Sequence, residues 1–348
     1  SRGLGDVYKR QHRFSITRQK LKTGMREIKS LIELMSTLHD KNSCREFLEQ
    51  YRWQGVPVCP HCKHKSEHHY KLKNKGEFDG LYKCRHCKKR FTVTVGTMFE
   101  GSKIPLEKWF YAIYIFLSHK KGISSLQLSR DINVTQKTAW FMLTKIRHNM
   151  YKDEIEKFRG IVQMDETYVG GKNKNKWNKG TQGRSLKEKT PVVGVLTEDR
   201  VYPVVTYDAS QKTLHLLVFG LIEEGSTLVT DGWAGYNGLS HLYTRVIIEH
   251  SKGLYAKDGF HTNGIEGFWS HLKRGIKGIY HVVSPKYLQM YCNEFAYRYN
   301  TRTLTDMQRF MEFMPKINKR LKHANLKYNI YNLSLIHISE PTRPEPIS

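Results

Sequence analysis

The sequence is poor in acidic side chains and lacks long apolar runs. Its 348 residues carry 32 Asp and Glu against 58 Lys and Arg, for a formal net charge of +26. No stretch approaches the roughly 18 consecutive apolar residues that would indicate a membrane-spanning helix, so we expect no membrane span. With 39% hydrophobic residues, the chain can still build packed cores. The positive excess predicts a polyanionic partner, nucleic acid first and an acidic membrane surface second.

Cysteine is scarce, and four of the six residues form two C-x-x-C pairs. "CPHC" holds Cys59 and Cys62, and "CRHC" holds Cys84 and Cys87. Two such turns supply four soft thiolates for a tetrahedral ion, so the pattern predicts a structural Zn²⁺ site. A redox or disulfide pair is the alternative, which the lack of a visible secretory signal disfavours. Nearby histidines could compete as ligands, but their spacing is irregular: His61, His64, His68, His69 and His86.

The two ends of the chain differ in composition from the rest. We expect residues 1–11 and 334–348 to be non-native, although ordinary disordered termini are the alternative. No signal peptide is visible. The expected location is therefore the nucleus in a eukaryote, or the cytoplasm and nucleoid in a bacterium, and not the secreted fraction.

The first half of the chain is expected to be helical around a small metal-bound sheet. Its predicted parts are N-terminal helices over 25–52, a zinc ribbon over 53–103 and a helix-turn-helix-like DNA-binding region over 104–152. In that region, Leu126, Leu128, Ile132, Val134, Ala139 and Leu143 are the predicted core. The N-terminus of its second helix would face the DNA groove with Gln136, Lys137 and Thr138. A helical linker that only packs is the alternative.

From residue 158 the periodicity favours strands. The order β-β-β-α-β-α-β-α over 158–305 predicts an α/β domain of RNase H-like type, a mixed sheet with flanking helices. The helical, basic stretch over 280–328 is expected to pack on its side, and a C-terminal helical segment is expected over 306–333. The polar loop after the first strand carries Lys172, Lys174 and Lys176. These lysines either grip DNA phosphates or belong to a solvated flexible loop.

Three carboxylates of this domain are candidates for one site. Asp165 lies inside the apolar first strand, Asp231 ends the fourth strand, and Glu266 lies on the last helix. Together they would offer the hard oxygen ligands of a two-ion site for Mg²⁺, or Mn²⁺ in its place. Asp208 and Glu249, at strand ends, are the rivals. For Glu266 the alternative is a surface ion pair, which contributes little to stability.

The helix that carries Glu266 becomes basic in its second half. His271, Lys273 and Arg274 follow within two turns. Lys273, seven residues after Glu266, lies on the same helical face. We expect these cations to lie against DNA phosphates once metal ions neutralise the carboxylates.

Several longer motifs carry a family resemblance across about residues 45–305. They are "YRWQGVPVCPHC", "VQMDETYVGGK", "LVTDGWAGY", "HTNGIEGFWSHLKRGIKGIYHVVS" and "EFAYRYNTR". The chain resembles the Merlin-type insertion-sequence DDE transposases, in which a zinc ribbon precedes an ISXO2-like transposase domain. The resemblance implies a catalytic triad at Asp165, Asp231 and Glu266, with an accompanying basic residue at Lys273.

The same resemblance implies metal-dependent DNA chemistry. The expected activity is strand cleavage at transposon ends, followed by transfer of the freed 3′-hydroxyl into target DNA. The expected partners are double-stranded DNA, as terminal repeats and target, and further copies of the chain in a homo-oligomer on DNA. Two other readings stay open: a catalytically idle DNA-binding protein derived from a transposase, and a structure-specific nuclease of RNase H-like fold.

Overall fold

The computed structural model describes residues 28–150, 156–170, 189–249, 256–322 and 325–326. The two predicted non-native ends lie outside these ranges. The α-helices within them are α1 (Leu31–Thr37), α2 (Lys41–Trp53), α3 (Leu106–Ser118), α4 (Ser125–Asp131), α5 (Gln136–Asn149), α6 (Gln211–Leu221), α7 (Asn263–Gly275), α8 (Pro285–Asn300) and α9 (Asp306–Phe313). None of them has the length and apolarity needed to cross a bilayer.

A small antiparallel sheet follows the N-terminal helices. Its strands, in spatial order, are β1 (Tyr70–Asn74), β2 (Glu77–Lys83) and β3 (Arg90–Phe91). Helix α2 packs on it through Trp53, whose ring meets Tyr82 at 5.5 Å and Phe91 at 5.9 Å between centroids. Apolar Phe91, Val93 and Val95 alternate with polar residues as in a longer third strand. The ladder stops at Phe91, and Arg52 Nη1 donates to the carbonyl of Val95 at 3.3 Å.

Helices α3, α4 and α5 share one core with α1, α2 and the small sheet. Helix α3 is apolar almost all round and fully buried at Phe110 and Phe116. Helices α4 and α5 are joined by a tight turn with Asn133 in the left-handed region at φ 50°. Most of the predicted core of this helix pair is buried, but Leu126 is 45% exposed, so its placement in the core was wrong.

The second half of the chain forms a five-stranded mixed sheet with helices on both faces. Its strands are β4 (Ile161–Gly170), β5 (Lys189–Leu196), β6 (Val201–Val205), β7 (Thr227–Asp231) and β8 (Thr244–Ile248). The spatial order is β6-β5-β4-β7-β8. The first three strands are antiparallel, whereas β7 and β8 run parallel to β4. The sequence-based order of the five strands is confirmed, but the helix expected between β7 and β8 is only a three-residue 3₁₀ turn, Ala234–Tyr236.

The two faces of this sheet have separate apolar cores. Helix α6 covers the face that carries Val162 and Met164 of β4. Helices α7 and α8 cover the opposite face, where Val192 and Leu196 of β5 lie. A short hairpin of β9 (Ala256–Lys257) and β10 (Phe260–His261) precedes α7.

The C-terminal helix α9 differs from the sequence-based expectation. Instead of packing on the mixed sheet, it joins the N-terminal core, where Phe310 meets Phe110 at 6.3 Å between ring centroids. Arg309, almost fully buried, donates to the carbonyl of Leu117 on α3 at 2.9 Å. The chain therefore returns to its first half after completing the sheet domain.

A buried ionic cluster ties the two halves together at Glu294 of α8, which is fully inaccessible to solvent. Arg147 Nε of α5 donates to its Oε2 at 2.7 Å, and Arg298 Nη2 donates to its Oε1 at 2.8 Å. The hydroxyl of Tyr280 also donates to Oε1, at 2.7 Å. These donors hold the pKa of Glu294 below its usual value despite the opposing effect of burial.

We predict that Glu294→Gln lowers the free energy of unfolding by about 3–5 kcal/mol, because it leaves two buried guanidinium groups without a counter-charge. Urea unfolding followed by circular dichroism measures the loss. The matched control is Glu312→Gln, whose carboxylate is half-exposed and 3.7 Å from Lys316. That variant should lose about 0–1 kcal/mol. Equal losses in the two variants would show that the cluster does not hold the halves together.

Candidate metal centres and active site

The four cysteines of the two C-x-x-C turns converge in space. Cys59 Sγ lies 3.7 Å from Cys87 Sγ, and Cys62 Sγ lies 3.6 Å from Cys84 Sγ. All four sulfurs lie within 4.8 Å of one another. A tetrahedral zinc ion with Zn–S bonds of about 2.3 Å places its sulfurs about 3.8 Å apart. The cluster therefore fits a structural Zn²⁺ ion with these four residues as its ligands.

The two turns have matching backbones. The residue after the second cysteine is left-handed in both, with φ 62° at Lys63 and φ 61° at Lys88. Each of these lysines donates its backbone N–H to the carbonyl of the first cysteine, Cys59 or Cys84. The neighbouring His69 has both ring nitrogens hydrogen-bonded to backbone, at His64 and Arg85. It is thereby kept from competing for the metal.

Asp165 lies in the central strand β4, on the face covered by α7. Trp269 Nε1 donates a hydrogen bond to its Oδ2 at 3.0 Å. Burial raises the pKa of Asp165 to about 7, and the negative charges of Glu166 and Asp231 act in the same direction. A bound cation would remove this electrostatic cost. Glu166 points to the other face, as the strand's alternation predicts, and accepts a hydrogen bond from Tyr236 at 3.1 Å.

Asp231 lies at the end of β7, next to Asp165. Gln163 of β4 pairs with Val229 of β7 in the parallel ladder, and the two aspartates follow two residues further along each strand. Asp231 Oδ1 accepts the backbone N–H of Trp233 at 3.0 Å. Arg245 of β8 donates to the carbonyls of Asp231 and Trp233, at 3.2 and 3.1 Å. These bonds fix the turn that follows the strand.

Glu266 lies on the first turns of α7, which packs against β4 and β5. Its side chain is exposed, and Oε1 accepts a hydrogen bond from Thr262 Oγ1 at 2.8 Å. Its neighbours Ile265 and Trp269 both contact β4, through Gln163 and Asp165. Helix α7 thus carries Glu266 along the strand that holds Asp165.

The oxygens of the three carboxylates are spread more widely than the four cysteine sulfurs. In the described ranges, the four cysteines are the one set of three or more His, Cys, Asp or Glu whose ligand atoms all lie within 4.8 Å of one another. Two ions about 4 Å apart spread their ligands more widely than a single ion does. The rival Asp208 lies before α6 instead, where its Oδ1 accepts from the helix's N-cap residue Ser210, from N at 3.0 Å and from Oγ at 2.8 Å.

The basic end of α7 divides into two kinds of side chain. Lys273 and Arg274 are exposed. His271 is half-buried against Phe295 and hydrogen-bonds through Nε2 to the carbonyl of Lys120 at 3.2 Å. The expectation that His271 faces DNA was therefore wrong, because its ring joins α7 to the loop between α3 and α4.

The other predicted DNA contacts lie in two places. Gln136 and Lys137 are exposed in the first turn of α5, and Thr138 is partly buried. Thr135 Oγ1 accepts from Thr138 N at 3.3 Å and caps this helix. Lys172, Lys174 and Lys176 lie outside the described residues.

Sequence reasoning missed the side chains that join α7 to β4. Trp269 reads as an ordinary apolar helix residue, and Gln163 as a polar residue in a strand. The spacing in the sequence could have identified both residues. Gln163 lies two residues from Asp165 and shares its sheet face, and Trp269 follows Glu266 by three residues and shares its helical face.

Comparison with known proteins identifies two family domains in the chain. Residues 157–300 match the ISXO2-like transposase domain, and residues 39–90 match the transposase zinc-ribbon domain. The chain belongs to this IS1595-type transposase family. The zinc-ribbon match begins ahead of α2, so it includes the helix that packs on the small sheet.

A curated relative of this transposase is an uncharacterized protein in the transposable element ISH50 of Halobacterium salinarum. It is 26% identical over 281 residues, which cover 76% of this chain and 92% of the relative. Among solved structures, a pre-cleavage Mos1 transpososome matches 60% of this chain and 79% of its own chain at 12% identity, with a TM-score of 0.17. The Mos1 strand transfer complex matches 64% and 82% at 12% identity, with a TM-score of 0.20. Scores of this size do not establish a shared fold.

We predict one zinc ion per chain in the purified transposase, measured by elemental analysis. Cys62→Ser should lose that zinc and unfold the small sheet, because a domain of this size depends on its metal for folding. Cys292→Ser is the matched control, since Cys292 is buried in the core beneath α8, away from the cluster. It should retain the ion. Zinc-free wild-type protein with a folded ribbon would contradict the prediction.

Proposed function

We propose that the protein is a DDE transposase that cleaves DNA at transposon ends and transfers the freed 3′-hydroxyl into target DNA. The observation that carries the proposal is the position of Asp165: it lies partly buried in the central strand of the sheet, where burial and the nearby negative charges of Glu166 and Asp231 raise its pKa. Such an arrangement destabilises a metal-free protein. It is accounted for if the carboxylates serve as ligands for a divalent cation.

The sheet supports an RNase H-like assignment for residues 158–305. Three antiparallel strands are followed by two strands parallel to the first, in the order β6-β5-β4-β7-β8. The first strand in the sequence is therefore central, and the fourth lies beside it. This order brings Asp165 and Asp231 onto neighbouring strands, and α7 packs on β4 and β5.

In the proposed reaction, Asp165, Asp231 and Glu266 hold two Mg²⁺ ions, or Mn²⁺ in their place. When bound, these ions would supply charge stabilisation for the attacking and leaving oxygens of an in-line displacement at phosphorus. Trp269 orients Asp165, and Thr262 orients Glu266, through the hydrogen bonds that each donates. The same carboxylates serve cleavage and strand transfer, because each step is an attack on a phosphodiester.

Double-stranded DNA is the proposed partner, bound largely through its phosphates. The net charge of +26 favours such binding over the whole chain. Lys273 and Arg274 extend from the same helix as Glu266, so they are suited to hold the strand that reacts. Gln136, Lys137 and Thr138 begin α5, where a helix-turn-helix would meet the major groove. A homo-oligomer on DNA would allow two transposon ends to be held together.

We predict that Glu266→Gln lowers DNA cleavage by about 10²–10⁴-fold, while DNA binding stays close to that of the wild type. The amide keeps the shape of the side chain but removes the charge that a hard cation requires. A plasmid that carries the element with its own ends, incubated with Mg²⁺ or Mn²⁺, gives the cleavage rate, and a binding titration runs beside it.

The matched control is Glu224→Gln, an exposed glutamate in the turn after α6. It should cleave at the wild-type rate. Near-normal cleavage by Glu266→Gln would remove Glu266 from the site and make Glu249 the leading candidate for the third carboxylate.

A further inference from the structure

We propose that Gln163 and Trp269 act as a pair of positioning residues that set the separation between Asp165 and Glu266. The inference rests on the proposed function, because it concerns how the carboxylate site is assembled. Neither side chain need touch a metal ion or DNA for this role. Each joins strand β4 to helix α7 by one hydrogen bond, and the two bonds lie on either side of Glu266 along the helix.

Gln163 caps helix α7 from the neighbouring sheet. Its Oε1 accepts the backbone N–H of Ile265, in the first turn, at 3.0 Å. The residue at the usual capping position, Thr262, makes no side-chain cap and donates its hydroxyl to Glu266 instead. A side chain more than 100 positions earlier in the sequence thus satisfies a helix-terminal donor that would otherwise lack a partner. The start of the helix is thereby fixed to β4.

Trp269 makes the second attachment, one turn further along α7. Its indole N–H donates to Asp165 Oδ2 at 3.0 Å, and its ring is 4% exposed. The two bonds therefore bind α7 to residues 163 and 165, which share one face of the strand.

Two glycines allow this close approach of helix and sheet. Gly194 pairs with Asp165 across the β4–β5 ladder. A Cβ there would lie 2.6 Å from Trp269 Cζ2. A Cβ at Gly264 would lie 2.8 Å from Gln163 Oε1. Both contacts are shorter than real side chains allow, so a larger residue at 194 would collide with the Trp269 ring and one at 264 would displace the Gln163 amide oxygen.

The attachment has a direct consequence for the carboxylates. Glu266 follows Ile265 by one residue and precedes Trp269 by three, so both of its anchored neighbours fix its height above β4. Mg²⁺ demands near-ideal ligand geometry, and small displacements of one ligand weaken binding. Removing a residue that orients a ligand typically lowers metal affinity by about 10–100-fold.

The test is Mn²⁺ binding by the full, zinc-loaded chain without DNA, followed by the electron paramagnetic resonance signal of free Mn²⁺. Two variants each remove one hydrogen bond. Gln163→Met keeps a side chain of similar length, and Trp269→Phe keeps an aromatic ring. We expect both to bind Mn²⁺ about 10–100-fold more weakly than the wild type.

Matched controls make the same chemical changes elsewhere. Trp109 is 1% exposed and donates its indole N–H to Ser102 Oγ at 2.9 Å. Gln289 is 4% exposed, and its Oε1 accepts the backbone N–H of Val205 at 2.7 Å. Trp109→Phe and Gln289→Met should therefore lower thermal stability but leave Mn²⁺ affinity within about twofold of the wild type, since neither touches the carboxylates or α7.

The outcomes separate this inference from the proposed function. Equal Mn²⁺ binding by the wild type and Asp165→Asn would show that the carboxylates hold no metal, which removes the proposed function itself. Binding that Asp165→Asn loses, but that Gln163→Met and Trp269→Phe retain at control level, would overturn the positioning role alone. If Trp269→Phe does not fold, Gln163→Asn, which shortens the amide by one methylene, is scored against the same controls.

Discussion

The arrangement of the two halves depends on one buried carboxylate, Glu294. A charged group without solvent contact is stable only when its partners offset the loss of hydration, and here Arg147, Arg298 and Tyr280 do so. Arg147 belongs to α5, the helix proposed to meet DNA, whereas Glu294 and Arg298 belong to α8, which covers the mixed sheet. The same region packs tightly enough that a Cβ at Gly122 would lie 2.0 Å from the Tyr280 hydroxyl. DNA held by α5 would therefore stand in a fixed relation to the carboxylates.

At Asp165, in the proposed carboxylate site, the balance between a carboxylate and its partners is opposite to that at Glu294. Asp165 is partly buried beside Glu166 and Asp231, and its donors, the Trp269 indole N–H and the Glu166 backbone, are uncharged, whereas Glu294 accepts from two guanidinium groups. Its raised pKa records that the ionised form lacks adequate compensation within the protein. The charge of Glu294 is thus balanced by cations of the chain, and this residue serves structure. Asp165 has no such cationic partner among the described residues, and a divalent ion would supply the missing positive charge. This contrast is the physical basis for assigning them different roles.

The sequence predicted those features that depend on spacing and periodicity. The C-x-x-C pairs predicted the four-sulfur cluster. The alternation along β4 predicted opposite faces for Asp165 and Glu166, and the apolar runs predicted the order of the strands along the chain. Contacts between distant residues could not be predicted, because no local pattern records them. The hydrogen bonds of Gln163 to Ile265 and of Trp269 to Asp165 are of this kind, as is the burial of His271 against the α3–α4 loop. The prediction that Leu126 lies in the core was wrong because helical spacing identifies an apolar position without showing what covers it.

The proposed function requires that Asp165, Asp231 and Glu266 surround one shared site for the two divalent ions. Oxidative cleavage directed by bound iron tests it in the wild-type chain: Fe²⁺ replaces Mg²⁺, ascorbate and hydrogen peroxide are added, and mass spectrometry locates the cuts in the polypeptide. Iron takes the oxygen ligands that magnesium uses, and the radicals it generates react with the nearest backbone. If the three carboxylates share one site, we expect cuts close to residues 165, 231 and 266, and excess Mg²⁺ should suppress them together. Cuts confined to one of these segments, or unaffected by Mg²⁺, would contradict a shared site.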